Sequence, residues 1–347
     1  MGTSSAPSPA ATAAALSGRT AAAIGAAAVG ITTLALYRTH RAAKERARAE
    51  AEAAAEAERA RRAQDSAPAS FAEAVERFFG GSLRADDCVL RLTAALREQG
   101  FTRDSTLTTL SLPRDPLMLP LRELLQKQWG ECLCLSTLSG LPLLGVTGLR
   151  AAISGAGQGG QRPRTAIIAC AHLAIAADGT VGECDVLGQR KDDAPAHACS
   201  GLLAFRHELA SGQVDVQPDP ADLEYWLLKQ ALLPRVTFGT TVPSLEELVQ
   251  LAAGAIADEV EQLVNAVLLP PDRSADSSAL SAGDKLAEAG DVAVFVGVAL
   301  HGPQHPRNEL ILPIQFYSAV DGVVTDLLPT LRPEGEAGDE SGSRQSV

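Results

Sequence analysis

Residues 165–171, Thr-Ala-Ile-Ile-Ala-Cys-Ala, make an unbroken apolar run. Seven residues suit a strand better than a helix, and a strand with no polar alternation must be covered on both faces. Sheets flanked by helices on both sides provide that cover, so this run predicts a layered α/β fold. The rest of the chain agrees. Ser105–Leu112 reads as a strand closed by Pro113, Glu131–Leu135 as a short strand with Cys132 and Cys134 on one side, and Val292–Ala299 and Leu310–Phe316 as two late strands. Helical periods lie between them. Ser70 with Glu73 is a capping box opening an apolar face of Phe71, Val75, Phe78 and Phe79 that Gly80-Gly81 stops. Further helices are expected from about Ala85 to Gly100, over Leu117–Gln128, over Ala196–Leu209, from Asp219-Pro220, and from a second capping box at Ser244/Glu247 to about Val267. The result is a three-layer α/β body over 68–331.

Charge and cysteine usage narrow the function. Thirty Lys and Arg against forty-two Asp and Glu give a net charge of −12, which argues against nucleic acid as the main partner. Six cysteines in 347 residues are too sparse for a disulfide scaffold. The charge is uneven. Up to Lys44 there is no acidic residue, while Arg19, Arg38, Arg41 and Lys44 stand among Ala, Ser, Thr and Gly, as in an organelle transit peptide. Within that leader Thr20–Tyr37 is uncharged for eighteen residues, and at ~1.5 Å each it covers about 27 Å of bilayer. Residues 1–40 are therefore either a targeting segment or a membrane anchor. Residues 41–67, rich in Ala, Glu and Arg without a core-facing stripe, read as a helical spacer. Residues 270–290 read as a polar linker and 332–347 as a disordered acidic tail.

Few motifs carry chemistry. Residues 140–147, GLPLLGVT, have a phosphate-loop skeleton, but Val146 stands where the lysine belongs, so a tight strand-to-helix turn is the better reading. Gly155–Gly160 reads as a flexible loop, and no Gly-x-Ser-x-Gly elbow supports a hydrolase. His172 ends the 165–171 strand and Cys199 stands near the start of a later helix. Strand ends are where α/β proteins place ligands, so the pair is either a metal site or a structural imidazole beside a small apolar thiol.

Several segments, in order, resemble one family. LSGLPLLGVTG (138–148), ACAHLAI (169–175) followed by DGTVG (178–182), ACSGLLA (198–204), the helix at Asp222–Leu233 and LPIQF (312–316) are similar to the limiting-CO2-inducible B/C proteins of algae. The likeness covers nearly all of 68–331. It implies a β-carbonic-anhydrase-like (θ-class) three-layer sandwich with a mostly parallel central sheet, usually dimeric, acting on CO2 and bicarbonate in a CO2-concentrating mechanism. With the leader, it implies a plastid location, or membrane anchoring through 20–37 in another organelle. It also implies zinc held by two Cys and one His, which would make bound water a nucleophile. The His matches His172 and the second Cys matches Cys199. The first Cys belongs to a Cys-x-Asp motif, where this chain has Pro113 and keeps Asp115; the family's following Arg falls on Leu119. Proline offers no metal ligand. Two outcomes follow: a catalytically silent member pairing as a homodimer or with an active paralogue, or rescue of the site by Cys132 or Cys134 as substitute ligand. The silent outcome is the expected one, because rescue also needs the Arg replaced, and Arg114 should face away from Pro113 and Asp115.

Overall fold

In a computed structural model, the described residues are 68–332, except 136, 144, 157–163, 185–195, 238–240, 269–289 and 304. The leader, the spacer and nearly all of the polar linker and acidic tail lie outside them, as does most of the 155–160 loop. No helix among the described residues is long and apolar enough to cross a membrane.

The 165–171 run lies within β4 (Arg164–Ala174), whose neighbour β7 (Asp291–His301) is apolar over most of its length and buried throughout. The two are parallel over eleven paired residues. β2 (Thr106–Ser111) flanks β4 in parallel, and β3 (Leu133–Cys134) flanks β2. On the far side of β7 the sheet turns antiparallel through β8 (Glu309–Val320), which carries β1 (Leu83–Arg84) and β9 (Val323–Asp326). The strand order is β1-β8-β7-β4-β2-β3, with β9 paired to β8.

Side chains alternate along the two central strands and build two cores. Ile167, Ala169, Ala171 and Leu173 of β4, with Val292, Val294, Val296 and Val298 of β7, pack against one helical layer. That layer contains α4 (Gly145–Ala156), α5 (Ser200–Ser211), α6 (Leu223–Leu232) and α7 (Leu245–Leu268), with α1 (Phe71–Phe79) beside them. Ala166, Ile168, Cys170, Ala293 and Phe295 face the opposite layer, α2 (Ala85–Glu98) and α3 (Leu119–Trp129). The expected three-layer α/β sandwich is therefore present.

The Ser244 capping box forms in full, and the one at Ser70 forms with its return bond shifted by one residue, from the Ala69 N–H to Glu73 Oε2 at 2.9 Å. The Glu73 N–H donates to Ser70 Oγ at 3.3 Å, and Ser244 and Glu247 exchange bonds of 2.8 and 3.3 Å. Three local expectations need correction. The helix expected from Ala196 starts at Ser200, because Ala196–His197 is β6 and pairs with β5 (Glu183–Cys184). The helix expected at Asp219-Pro220 starts at Leu223, because Asp219 Oδ1 accepts from the Ala221 N–H at 2.8 Å and holds a turn there. The last strand runs to Val320 and turns at Asp321-Gly322, both at positive φ, into β9. An Asp-Gly hairpin signal was present in the sequence at that point.

Candidate metal centre at the strand ends

The parallel strands β2, β4 and β7 all end at one edge, and the connections leaving it bring the polar groups together. Beyond β2, Pro113 bridges Thr137 beyond β3, and the Arg114 N–H donates to the Thr137 carbonyl at 3.0 Å. Asp115 caps a 3-10 turn over Pro116–Met118, its Oδ1 accepting from the Leu117 N–H at 3.0 Å. Gly140 lies against β4 with φ +82, and a Cβ there would stand 2.1 Å from the Cys170 carbonyl oxygen and 3.2 Å from Pro113 Cδ. The residue before it, Ser139, has its Oγ 3.6 Å from Cys199 Sγ.

His172 and Cys199, 27 residues apart in the chain, meet here. Both are buried, at 2% and 3% exposure, and lie close enough to act on each other's ionisation. Burial alone would push the Cys199 thiol up, but the His172 charge, with help from Ser139, brings it down to about 7. Burial disfavours the His172 cation, yet Cys199 and then Asp115 outweigh it and raise its pKa. Each group thus favours the charged form of the other. The second nitrogen of His172, Nδ1, lies 3.3 Å from His301 Nε2.

His301 begins a cluster that the sequence reading did not single out. It ends β7 opposite Glu309, the first residue of β8, and His305 lies in the connecting turn. His301 Nδ1 and Glu309 Oε1 are 3.7 Å apart, and the His301 and His305 rings meet edge-on at 5.1 Å. Burial, with His172 and His305 nearby, keeps His301 neutral. Burial also lifts the Glu309 carboxyl from 4.5 to about 8. The spacing His-x3-His-x3-Glu over 301–309 was the available signal.

The two candidate substitute cysteines lie apart from this edge. Cys134 pairs with Leu110, three residues before the Pro113–Thr137 bridge, which is about 10 Å along the strand. It is exposed, and Cys132 Sγ donates to the Gly130 carbonyl at 3.4 Å. The register brings neither Cys132 nor Cys134 to His172. Arg114 forms an ion pair with Glu224 of α6, and Leu119 is half exposed at the start of α3.

The charge on Glu309 has a measurable consequence. In metal-free protein the folded state holds a proton that the unfolded chain releases above pH 4.5, so the stability this provides is complete below 4.5 and is lost as pH rises through about 8. Glu309→Gln removes the dependence. Its unfolding free energy in chelator should match the parent near pH 4.5 and exceed it by ~4 kcal/mol at pH 8; equal pH slopes for the two proteins would contradict this.

Residues 82–320 match the sequence pattern of the limiting CO2-inducible proteins B/C beta carbonic anhydrases. The chain belongs to this family. The solved structure of the limiting CO2-inducible protein LCIB is 25% identical, with a TM-score of 0.54, covering 72% of this chain and 95% of that one. Its homologue PtLCIB4 shares the fold at 17% identity and a TM-score of 0.57, covering 73% of this chain and 98% of that one. No curated protein matches the chain.

The donor set at the strand ends does not fit the Cys-Cys-His zinc centre that the family likeness implies. Among the described residues His172 and Cys199 are joined by no third Cys, His, Asp or Glu ligand at metal-binding spacing, and His172 Nδ1 already lies against His301.

Proposed function

We propose that this chain is a carbonic-anhydrase-like member of the inorganic-carbon-concentrating system with an incomplete family zinc centre and little or no CO2 hydratase activity. The observation that carries the reading is Pro113 at the end of β2, where the motif places a thiolate. Without that sulfur, water has no three-ligand metal to acidify it, and the hydroxide that attacks CO2 is not formed. Asp115 keeps its place beside the site, within electrostatic reach of both His172 and His305.

A domain that keeps its fold and loses its ligand is suited to a structural or regulatory part, as one half of a homodimer or of a pair with an active paralogue. The acid-poor leader supports delivery to a plastid, and a fluorescent fusion of residues 1–66 that stayed in the cytosol would remove that part of the reading. For the chemistry, the test is stopped-flow CO2 hydration by the purified full chain with added zinc. The expected rate is that of buffer alone; zinc-dependent turnover abolished by Cys199→Ser would overturn the proposal.

A further inference from the structure

The β7–β8 hairpin carries a feature that the family motifs do not account for. His301 Nδ1, His305 Nε2 and Glu309 Oε1 are all buried, and each lacks a hydrogen-bond partner. One orphaned buried atom is common, but three converging on one point call for a shared occupant. The ligand atoms of these three residues all lie within 4.8 Å of one another. Donors at ~2.0–2.2 Å from a tetrahedral ion sit roughly 3.4 Å apart, so about 1.4 Å of closure by side-chain rotation completes the set.

We propose that His301, His305 and Glu309 form a binding site for a divalent transition-metal ion of the zinc type, separate from the position of the family's thiolate centre. Two imidazoles and one carboxylate select such ions over calcium or magnesium, which prefer all-oxygen shells. The supporting contacts also match. Histidine ligands to metals ordinarily fix their rings through the second nitrogen, and His301 uses its Nε2 on His172 while His305 hydrogen-bonds the Leu117 backbone. All three donors come from nine consecutive positions, 301–309, in which His301 and Glu309 are directly paired across the hairpin. The strand pairing therefore preorganises two ligands, and the turn delivers the third. Through His301 Nε2 and His172 Nδ1, the ion would be one hydrogen bond from the Cys199–His172 pair.

The test uses the full chain stripped with chelator and titrated with Zn2+ by calorimetry and with Co2+ by absorption. One equivalent of either ion should bind. Affinity should fall at least about 100-fold in His305→Ala and in the near-isosteric Glu309→Gln, and stay within a few-fold of the parent in Cys199→Ser. Bound cobalt should show ligand-field bands without sulfur-to-metal charge transfer. Absence of stoichiometric binding by the folded parent, as checked by its thermal transition, overturns the proposal. So does binding that Cys199→Ser abolishes and His305→Ala spares; that outcome would also overturn the incomplete family centre. A metal-free hairpin with no hydratase activity would remove the hairpin site alone.

Discussion

Replacing Pro113 with Cys is expected to restore zinc binding at the strand ends and to tighten it at least about 1,000-fold, some 4 kcal/mol, relative to the same position in the parent. Structural zinc centres gain ~10–16 kcal/mol from the complete ligand set, and a missing thiolate removes a large share of that. The substitution is compatible with the local backbone: position 113 is buried against the Gly140 loop, and the partner residues Ser139 and Cys199 are already in contact. Competition with a chelator, read in a Glu309→Gln background to silence the hairpin, measures the gain. Adding Cys199→Ser should cancel it. An unchanged affinity in the Pro113→Cys protein would show that the lost sulfur does not belong to this cavity.

The second large effect is on stability. Gly140→Ala should cost ~3–5 kcal/mol and lower the thermal midpoint by ~6–15 °C. The new methyl would stand 2.1 Å from the Cys170 carbonyl oxygen, in a strand buried on both faces that cannot retreat, and the residue would be held at φ +82. Relief requires the 137–141 loop to lift from β4, which breaks the 2.8 Å bond from Ser111 Oγ to the Gly140 carbonyl and the Ser139–Cys199 contact. Gly212 provides the comparison. It also has positive φ, +67, but its added Cβ would meet nothing within 4 Å, so Gly212→Ala should cost only about 1 kcal/mol. Equal melting shifts for the two variants would contradict the packing described for the site.

What the sequence made legible follows from how local each signal is. The two-sided burial of β4 is written in its own residues, since a strand that meets helices on both faces has no place for polar alternation. The capping boxes at Ser70 and Ser244 are equally local: both form the cap bond their spacing predicts, and at Ser244 the return bond as well. Helix starts at 196 and 219 were misplaced because a two-residue strand pairing and an Asx turn compete with helix at those points, and neither is visible in apolar periodicity. The meeting of His172 with Cys199 rested on family likeness, because no short-range rule joins a strand end to a helix start 27 residues later. His301, His305 and Glu309 went unread for a different reason. Their four-residue spacing suggests a helix face, whereas in the fold a hairpin turn brings them together.

The relation between the two neighbouring sites follows from their hydrogen bonds. At the strand ends Cys199 has Ser139 and His172 has His301 as hydrogen-bond partner, while on the hairpin three buried polar atoms stay without one. The proposed loss of a ligand at 113 and the unsatisfied donor set at 301–309 rest on different residues, and the His172–His301 contact links the two places.

The most direct examination of the incomplete centre is cobalt substitution of the unaltered full chain, followed by absorption in the near ultraviolet. A sulfur-bound cobalt ion gives an intense thiolate charge-transfer band. We predict that no such band develops, however much cobalt is added, and that it emerges only with Pro113→Cys. A one-equivalent band in the parent chain that disappears with Cys199→Ser would contradict the account.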